Sequence, residues 1–139
     1  MKKIILISGD PNSINSEIIF KAWKKIPNEI KKKIYLIANY NLIKKQFKKL
    51  KYSTKILKTN DINQDFSSTA LKILDLDLKF KNPFKVSRKS ASNFIINSLN
   101  LAHNIAIKKD ILGIVNCAID KKLLNKKNMG VTEFLAKKC

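Results

Sequence analysis

Apolar residues recur along this chain in two alternating rhythms. Ile4 to Ile7 is a short unbroken apolar run closed by Ser8-Gly9-Asp10-Pro11-Asn12, and it predicts a first strand. From Ser16-Glu17 onward, Ile18, Ile19, Ala22, Trp23 and Ile26 fall at helical spacing until Pro27 ends the pattern. Trp23 is in register with that stripe and reads as core. Lys33 to Ala38 predicts a second strand, and Asn39 to Leu50 a second helix with Leu42, Ile43, Phe47 and Leu50 inward. Ile56-Leu57 suits a short strand and Thr59 to Thr69 a loop. Leu71 to Leu78 suits a less buried strand, because its apolar residues alternate with polar ones. Ser87 to Lys109 contains no Gly or Pro and predicts the longest helix, with Ala91, Ile95, Leu99, Ala102 and Ala106 on one stripe. Ile111 to Val115 predicts a buried strand, Asn116 to Asp120 a loop, and a last helix begins at Thr132. Strands alternating with helices imply one α/β domain over residues 1–139, three-layered α/β/α with a mostly parallel sheet.

Composition narrows the class. The chain has 139 residues, 45% of them hydrophobic, which allows roughly 70% of the unfolded surface to be buried. Its formal net charge is +19, yet Arg88 is the sole arginine. Lysine without arginine, rich in company of Ile and Asn, reads as A/T-rich coding rather than as a surface selected for phosphates and base edges. The expectation is therefore no specific nucleic acid partner. No stretch approaches the roughly 18 apolar residues of a membrane span, and none is expected. Met1-Lys2-Lys3 before Ile4 imitates a leader, but the apolar run is short and meets Asp10 and Pro11. Cys117 and Cys139 form neither a disulfide framework nor a zinc pattern, which suits a cytoplasmic location.

Three loops carry candidate chemistry. Asp10 follows the first strand and can accept hydrogen bonds or orient a base. Lys121 follows the last strand and can pair with an anion. Thr132 can donate to a phosphate oxygen at a helix start. These three are the candidate substrate-binding residues. Cys117 lacks a histidine nearby in sequence to activate it and reads as a small buried residue. His103, the only histidine, sits inside the longest helix, so no three-histidine metal site is available.

The order of these motifs is informative. Gly9-Asp10-Pro11 with Glu17 downstream, Ser87 and Ser90 opening the long helix, Leu101-Ala102, Ile119 with Lys121, and then Gly130, Thr132-Glu133 and Leu135-Ala136 together resemble the 4-hydroxythreonine-4-phosphate dehydrogenase family of pyridoxal phosphate biosynthesis. The likeness runs nearly from end to end of this chain but covers about the first half of a family member. It implies the N-terminal part of an isocitrate/isopropylmalate dehydrogenase-like fold. It also implies NAD-dependent, metal-assisted oxidation and decarboxylation of 4-hydroxythreonine 4-phosphate, in a homodimer whose sites use both subunits. By resemblance, Thr132 matches the threonine of a Gly-His-Thr-Glu motif, Lys121 the lysine of a Pro-Ile-Asn-Lys loop, and Asp10 the aspartate of Gly-Asp-Pro.

The departures are specific. Val131 replaces the motif's histidine, Asn116-Cys117-Ala118 replaces a Thr-Gly-Pro sequence, and Asp120 replaces the asparagine before Lys121. The loop that usually reads Ala-Gly-Ile-Gly-Pro-Glu is Asn12-Ser13-Ile14-Asn15-Ser16-Glu17, without its glycines. No catalytic residue is identifiable, and the family's metal ligands and NAD-contacting segment fall beyond Cys139 in the matching order. NAD and a divalent metal are thus implied by the family rather than by residues in hand. A non-catalytic binding or assembly module on the same scaffold is the alternative. The resemblance implies a phosphorylated small-molecule substrate. Apolar faces that a second half would cover are expected to be exposed, favouring a homodimer or a partner chain.

Overall fold

The computed structural model describes residues 2–65, 67–108, 110–124 and 130–138. Residues 125–129 of the Lys-rich turn and Cys139 lie outside that set. Five strands form one sheet: β1 (Lys3–Ile7), β2 (Ile34–Ala38), β3 (Ile56–Thr59), β4 (Leu71–Asp75) and β5 (Ile111–Asn116). Their spatial order is β3-β4-β2-β1-β5, and every pairing is parallel. The helices are α1 (Asn15–Lys25), a single turn α2 (Asn28–Lys31), α3 (Tyr40–Lys49), α4 (Arg88–Ala106) and α5 (Val131–Ala136), with a 3-10 turn at Lys121–Leu124. No helix among the described residues is long and apolar enough to cross a membrane.

Successive strand side chains point to opposite faces, and that alternation builds two cores. Ile5, Ile7, Tyr35, Ile37 and Leu74 join α4, α5 and Ile62 on one face. Leu36, Ala38, Leu71 and Ile73 meet Ile19, Phe20, Trp23, Ile43 and Phe47 of α1 and α3 on the other. The α4 stripe behaves as its spacing dictates, with Ala91, Ile95, Leu99 and Ala102 fully buried. Each large residue of that stripe contributes about 1.5–3 kcal/mol.

Several expectations are corrected. β4 is not the less buried strand: Leu71 to Leu74 are all buried, because β4 lies between β3 and β2. β5 is not buried, because it forms the sheet edge and is half-open to solvent. On α1 the predicted stripe is rotated, so that Phe20 is buried while Ile18 and Ala22 are exposed. Pro27 does follow the end of α1, whose C-cap is Ile26, and it also stands at the N-cap of α2. The last helix begins at Val131, one residue before Thr132, with Gly130 at its N-cap.

Among the described residues no helix connects β3 to β4 on the α4 side, where residues 60–65 and 67–70 form turns and loop. Polar anchors hold it. Lys72 is fully buried on β4, and its Nζ donates to the carbonyls of Lys32 (2.5 Å) and Ser68 (3.4 Å) while lying 4.4 Å from the Tyr35 ring centre. The Tyr35 hydroxyl donates to the Gln64 carbonyl (2.5 Å), and Lys3 Nζ donates to Asn63 Oδ1 (3.2 Å).

Candidate functional site

All strands run the same way, so the loops after β1 and β5 emerge at one carboxyl edge, where open α/β sheets collect ligands. Gly9 turns the chain there with φ +77°, a conformation that costs a side-chain-bearing residue energy. Space forbids a side chain as well: a Cβ at Gly9 would lie 2.6 Å from both the Ala118 carbonyl oxygen and Asn15 Nδ2. That close approach is used. The Asp10 amide donates to the Ala118 carbonyl (3.2 Å), as does Asn15 Nδ2 (2.8 Å), which ties the two loops together.

The Asp10 carboxylate works locally. Its Oδ1 accepts the Asn12 amide (2.9 Å), an Asx turn that shapes the loop, and Ser13 Oγ donates to the Asp10 carbonyl (2.6 Å). Asn12 then clamps the segment before α4, donating from Nδ2 to the Val86 carbonyl (2.8 Å) and accepting the Val86 amide at Oδ1 (2.7 Å). Buried Gln46 donates to the carbonyls of Pro11 (3.1 Å) and Pro83 (2.7 Å). The hollow lined by Ser8, Gly9, Asp10, Leu42 and Gln46 is about 10 Å³, too small for a ligand.

Beyond β5, the Cys117 amide donates to Ile7 (2.9 Å) and the thiol is half-buried. Burial pushes that thiol's pKa up, the opposite of an activated nucleophile. Asp120 Oδ1 accepts the Lys122 amide (3.0 Å) and opens the 3-10 turn that carries Lys121. Lys121 lies against Gly130, where a Cβ would stand 3.6 Å from its Cε. Glu133 Oε2 accepts the Gly130 amide (3.0 Å) at the start of α5, and Thr132 is exposed in its first turn. Val131 packs half-buried against the α4-side core, so its position supplies packing and no polar contact.

The Asp10 amide is thus bonded to Ala118 of the loop after β5, and Lys121 further along lies against Gly130 at the start of α5. Reading the sequence alone missed Arg88. Its Nη2 reaches the Lys122 carbonyl (3.4 Å), beside a hollow of about 400 Å³ lined by Arg88, Lys89, Ser92 and Asn93. The signal available was the Ser87 and Ser90 pair, because Ser87 Oγ accepts the Ser90 amide (3.3 Å) and starts α4 there. No three His, Cys, Asp or Glu side chains gather into a metal site among the described residues. The residues present do not supply the donor set for the divalent metal that the family resemblance implies.

No family model matches the sequence, and no curated protein does. Solved structures do match. A 4-hydroxythreonine-4-phosphate dehydrogenase from Burkholderia phymatum superposes with a TM-score of 0.84 at 20% identity, covering 99% of this chain and 43% of that one. A Salmonella typhimurium chain to which the same activity is ascribed gives 0.82 at 20% identity, covering 99% and 44%. The Klebsiella pneumoniae 4-hydroxythreonine-4-phosphate dehydrogenase gives 0.74 at 17% identity, covering 90% and 39%. The chain thus has the isocitrate/isopropylmalate dehydrogenase-like fold of those proteins and spans less than half of their length.

Proposed function

We propose that this chain forms one half of a binding site for a phosphorylated small metabolite on the scaffold of a 4-hydroxythreonine-4-phosphate dehydrogenase. The observation that carries this reading is the joining of the β1 and β5 loops through the Asp10 amide and the Ala118 carbonyl, with Lys121 lying against the start of α5. In this reading Lys121 supplies a cation for phosphate and the Thr132 hydroxyl a hydrogen bond. Asp10 holds the loop in shape. NAD and a divalent metal supply hydride acceptance and charge stabilisation in the family reaction. With no metal donor set among the described residues, this chain binds and orients while another surface completes the site. In this reading a second copy or a partner chain can supply that surface, as can residues outside this span, and the setting is the cytoplasm.

A non-catalytic binding module is the second reading, favoured by Val131, which is turned into packing where the family motif has a polar residue. One experiment separates the two. Titration of the isotopically labelled chain with 4-hydroxythreonine 4-phosphate is expected to shift amide resonances around Asp10, Lys121 and Thr132, and the K121A/T132A double variant to bind about tenfold more weakly, as for the loss of one charged hydrogen bond. Shifts confined to other surfaces would remove the site. Adding NAD and Mg²⁺ to the same mixture and measuring NADH formation then tests the dehydrogenase reading, which requires turnover once a complementary half is present.

A further inference from the structure

The amino and carboxyl edges of the sheet are charged differently. Every strand runs the same way, so α1, α3 and α4, each following a strand, run back and end at the amino edge. Hydrogen bonds fix what lies there: the Lys33 carbonyl accepts the Ile4 amide (2.8 Å), that of Lys55 the Leu71 amide (2.9 Å) and that of Asp110 the Lys3 amide (2.8 Å). Lys24 and Lys25 end α1, Lys48 and Lys49 end α3, and Lys108 follows α4. Lys2 leads into β1, Lys31 to Lys33 into β2, and Lys51 and Lys55 into β3. Lys31 to Lys33 are half-buried and the others exposed. The carboxylates among them are Glu29, paired with Lys32 (3.3 Å), Asp65, whose charge acts on buried Lys72, and Asp110. The carboxyl edge instead collects Asp10, Glu17, Asp75, Asp77 and Asp120.

Two ordinary causes do not explain this. A lysine in a last helical turn complements the helix dipole, which covers Lys24, Lys25, Lys48 and Lys49 but not the lysines that precede the strands. A/T-rich coding multiplies lysines along the whole chain and does not gather them at one edge. Three exposed aliphatic side chains stand among them: Ile30 in α2 at 39%, Leu50 capping α3 at 38% and Ile107 capping α4 at 72%. Tyr52, the aromatic residue near Leu50, stacks on Phe20 and is not offered to bases, and the sole arginine, Arg88, starts α4 at the other edge. Both features count against nucleic acid. A protein interface, in turn, sheds lysine from its centre. Lysines around aliphatic residues suit a bilayer bearing anionic headgroups, where ammonium groups meet phosphates and apolar side chains reach the acyl boundary.

We propose that the amino edge of the sheet is a docking surface for a membrane carrying anionic phospholipids. Ile30, Leu50 and Ile107 enter the headgroup region, and the lysines around them, Lys48, Lys49 and Lys108 included, meet lipid phosphates. Docked this way, the Asp10 loop after β1 faces away from the lipid. The surface is separate from the proposed metabolite site, and its test involves no phosphorylated metabolite.

The probe is a vesicle of phosphatidylcholine containing about 30% phosphatidylglycerol, with which the chain is expected to sediment at low salt and from which about 0.5 M NaCl releases it. Vesicles of phosphatidylcholine alone are expected to bind at least about tenfold more weakly. Lys48→Gln, Lys49→Gln and Lys108→Gln together are expected to weaken binding at least about tenfold, and Lys79→Gln, Lys81→Gln and Lys85→Gln, equally exposed and equal in net charge, by less than about threefold. Ile30→Asn with Ile107→Asn changes exposed side chains and is expected to weaken binding at least about threefold. In the unaltered, isotopically labelled chain, spin-labelled lipid is expected to attenuate the amide signals of Ile30, Leu50 and Ile107 before those of Asp10 and Asn12. Equal binding to uncharged vesicles, equal loss in the two lysine triples, attenuation centred on Asp10, or unchanged binding of the isoleucine variant overturns the proposal. So does tighter binding of a short DNA duplex than of the vesicles at equal phosphate, since the surface then serves polyanions in general.

Discussion

Lys72 shows how one residue departs from its sequence pattern. In a strand of alternating residues a lysine belongs on a wetted face, yet here it is fully buried against the Tyr35 ring and bonded to the carbonyls of Lys32 and Ser68. Burial lowers its pKa from 10.5 to about 8, with Asp65 opposing and Lys3 reinforcing the shift. Burial and the nearby Asp65 and Asp61 raise that of Tyr35 from 10.0 to about 12. The signs follow. Between pH 8 and 10.5 the unfolded chain holds the lysine proton that the folded chain has lost, so stability rises with pH there by up to about 3 kcal/mol. Between pH 10 and 12 the folded chain keeps the tyrosine proton, and stability falls again as pH rises. Urea unfolding across pH 7 to 11 is expected to show the rise in the native chain and its loss in Lys72→Met. That variant is also expected to be more stable at pH 7 by roughly 1–2 kcal/mol, because the desolvation penalty exceeds the two hydrogen bonds lost. Gly9 is the opposite case, legible as glycine in a turn, although only the neighbouring Ala118 carbonyl shows why no other residue fits.

Among the elements, helices and interior strands follow local periodicity where a single neighbour covers them. The α4 stripe is such a case for Ala91, Ile95, Leu99 and Ala102, although Phe94, Ser98 and Ile105 are buried beside them and Ala106 is only half-buried. α1 is not. Its sequence offers Ile18, Ile19, Phe20, Ala22 and Trp23, a wide apolar arc, and the sheet covers only the sector holding Ile19, Phe20 and Trp23. Phe20 stacks on Tyr52 at 4.2 Å between ring centres, a partner that sequence spacing does not reveal. The loop after β1 depends on contacts remote in sequence, chiefly the two hydrogen bonds from Asn12 to Val86. Asn12→Ala leaves both backbone groups of Val86 without these partners and is expected to cost about 1–3 kcal/mol in thermal or urea unfolding. It is also expected to speed hydrogen exchange in residues 10–13 more than in the sheet.

For the molecule as a whole, the +19 charge is a mutual repulsion that the compact state bears more heavily than the unfolded one. Raising NaCl from about 20 mM to about 0.5 M shortens the screening length several-fold and is expected to raise the melting temperature in scanning calorimetry. A melting temperature unchanged by salt would place the lysines far enough apart to be screened already. Alternating strand and helix signals were sufficient to predict a parallel α/β sheet, because such signals arise from each segment's own periodicity. That the loops after β1 and β5 leave the sheet at the same edge was also readable, since residues after parallel strands emerge on the same side. Which strand is interior and which forms the edge was not readable. β4 and β5 have similar apolar content, and their burial depends on neighbours far away in sequence: β4 has strands on both flanks and β5 on one. Local periodicity is a property of a segment, whereas burial belongs to the assembled layers, and so the buried β4 and its buried lysine emerge only once the chain is folded.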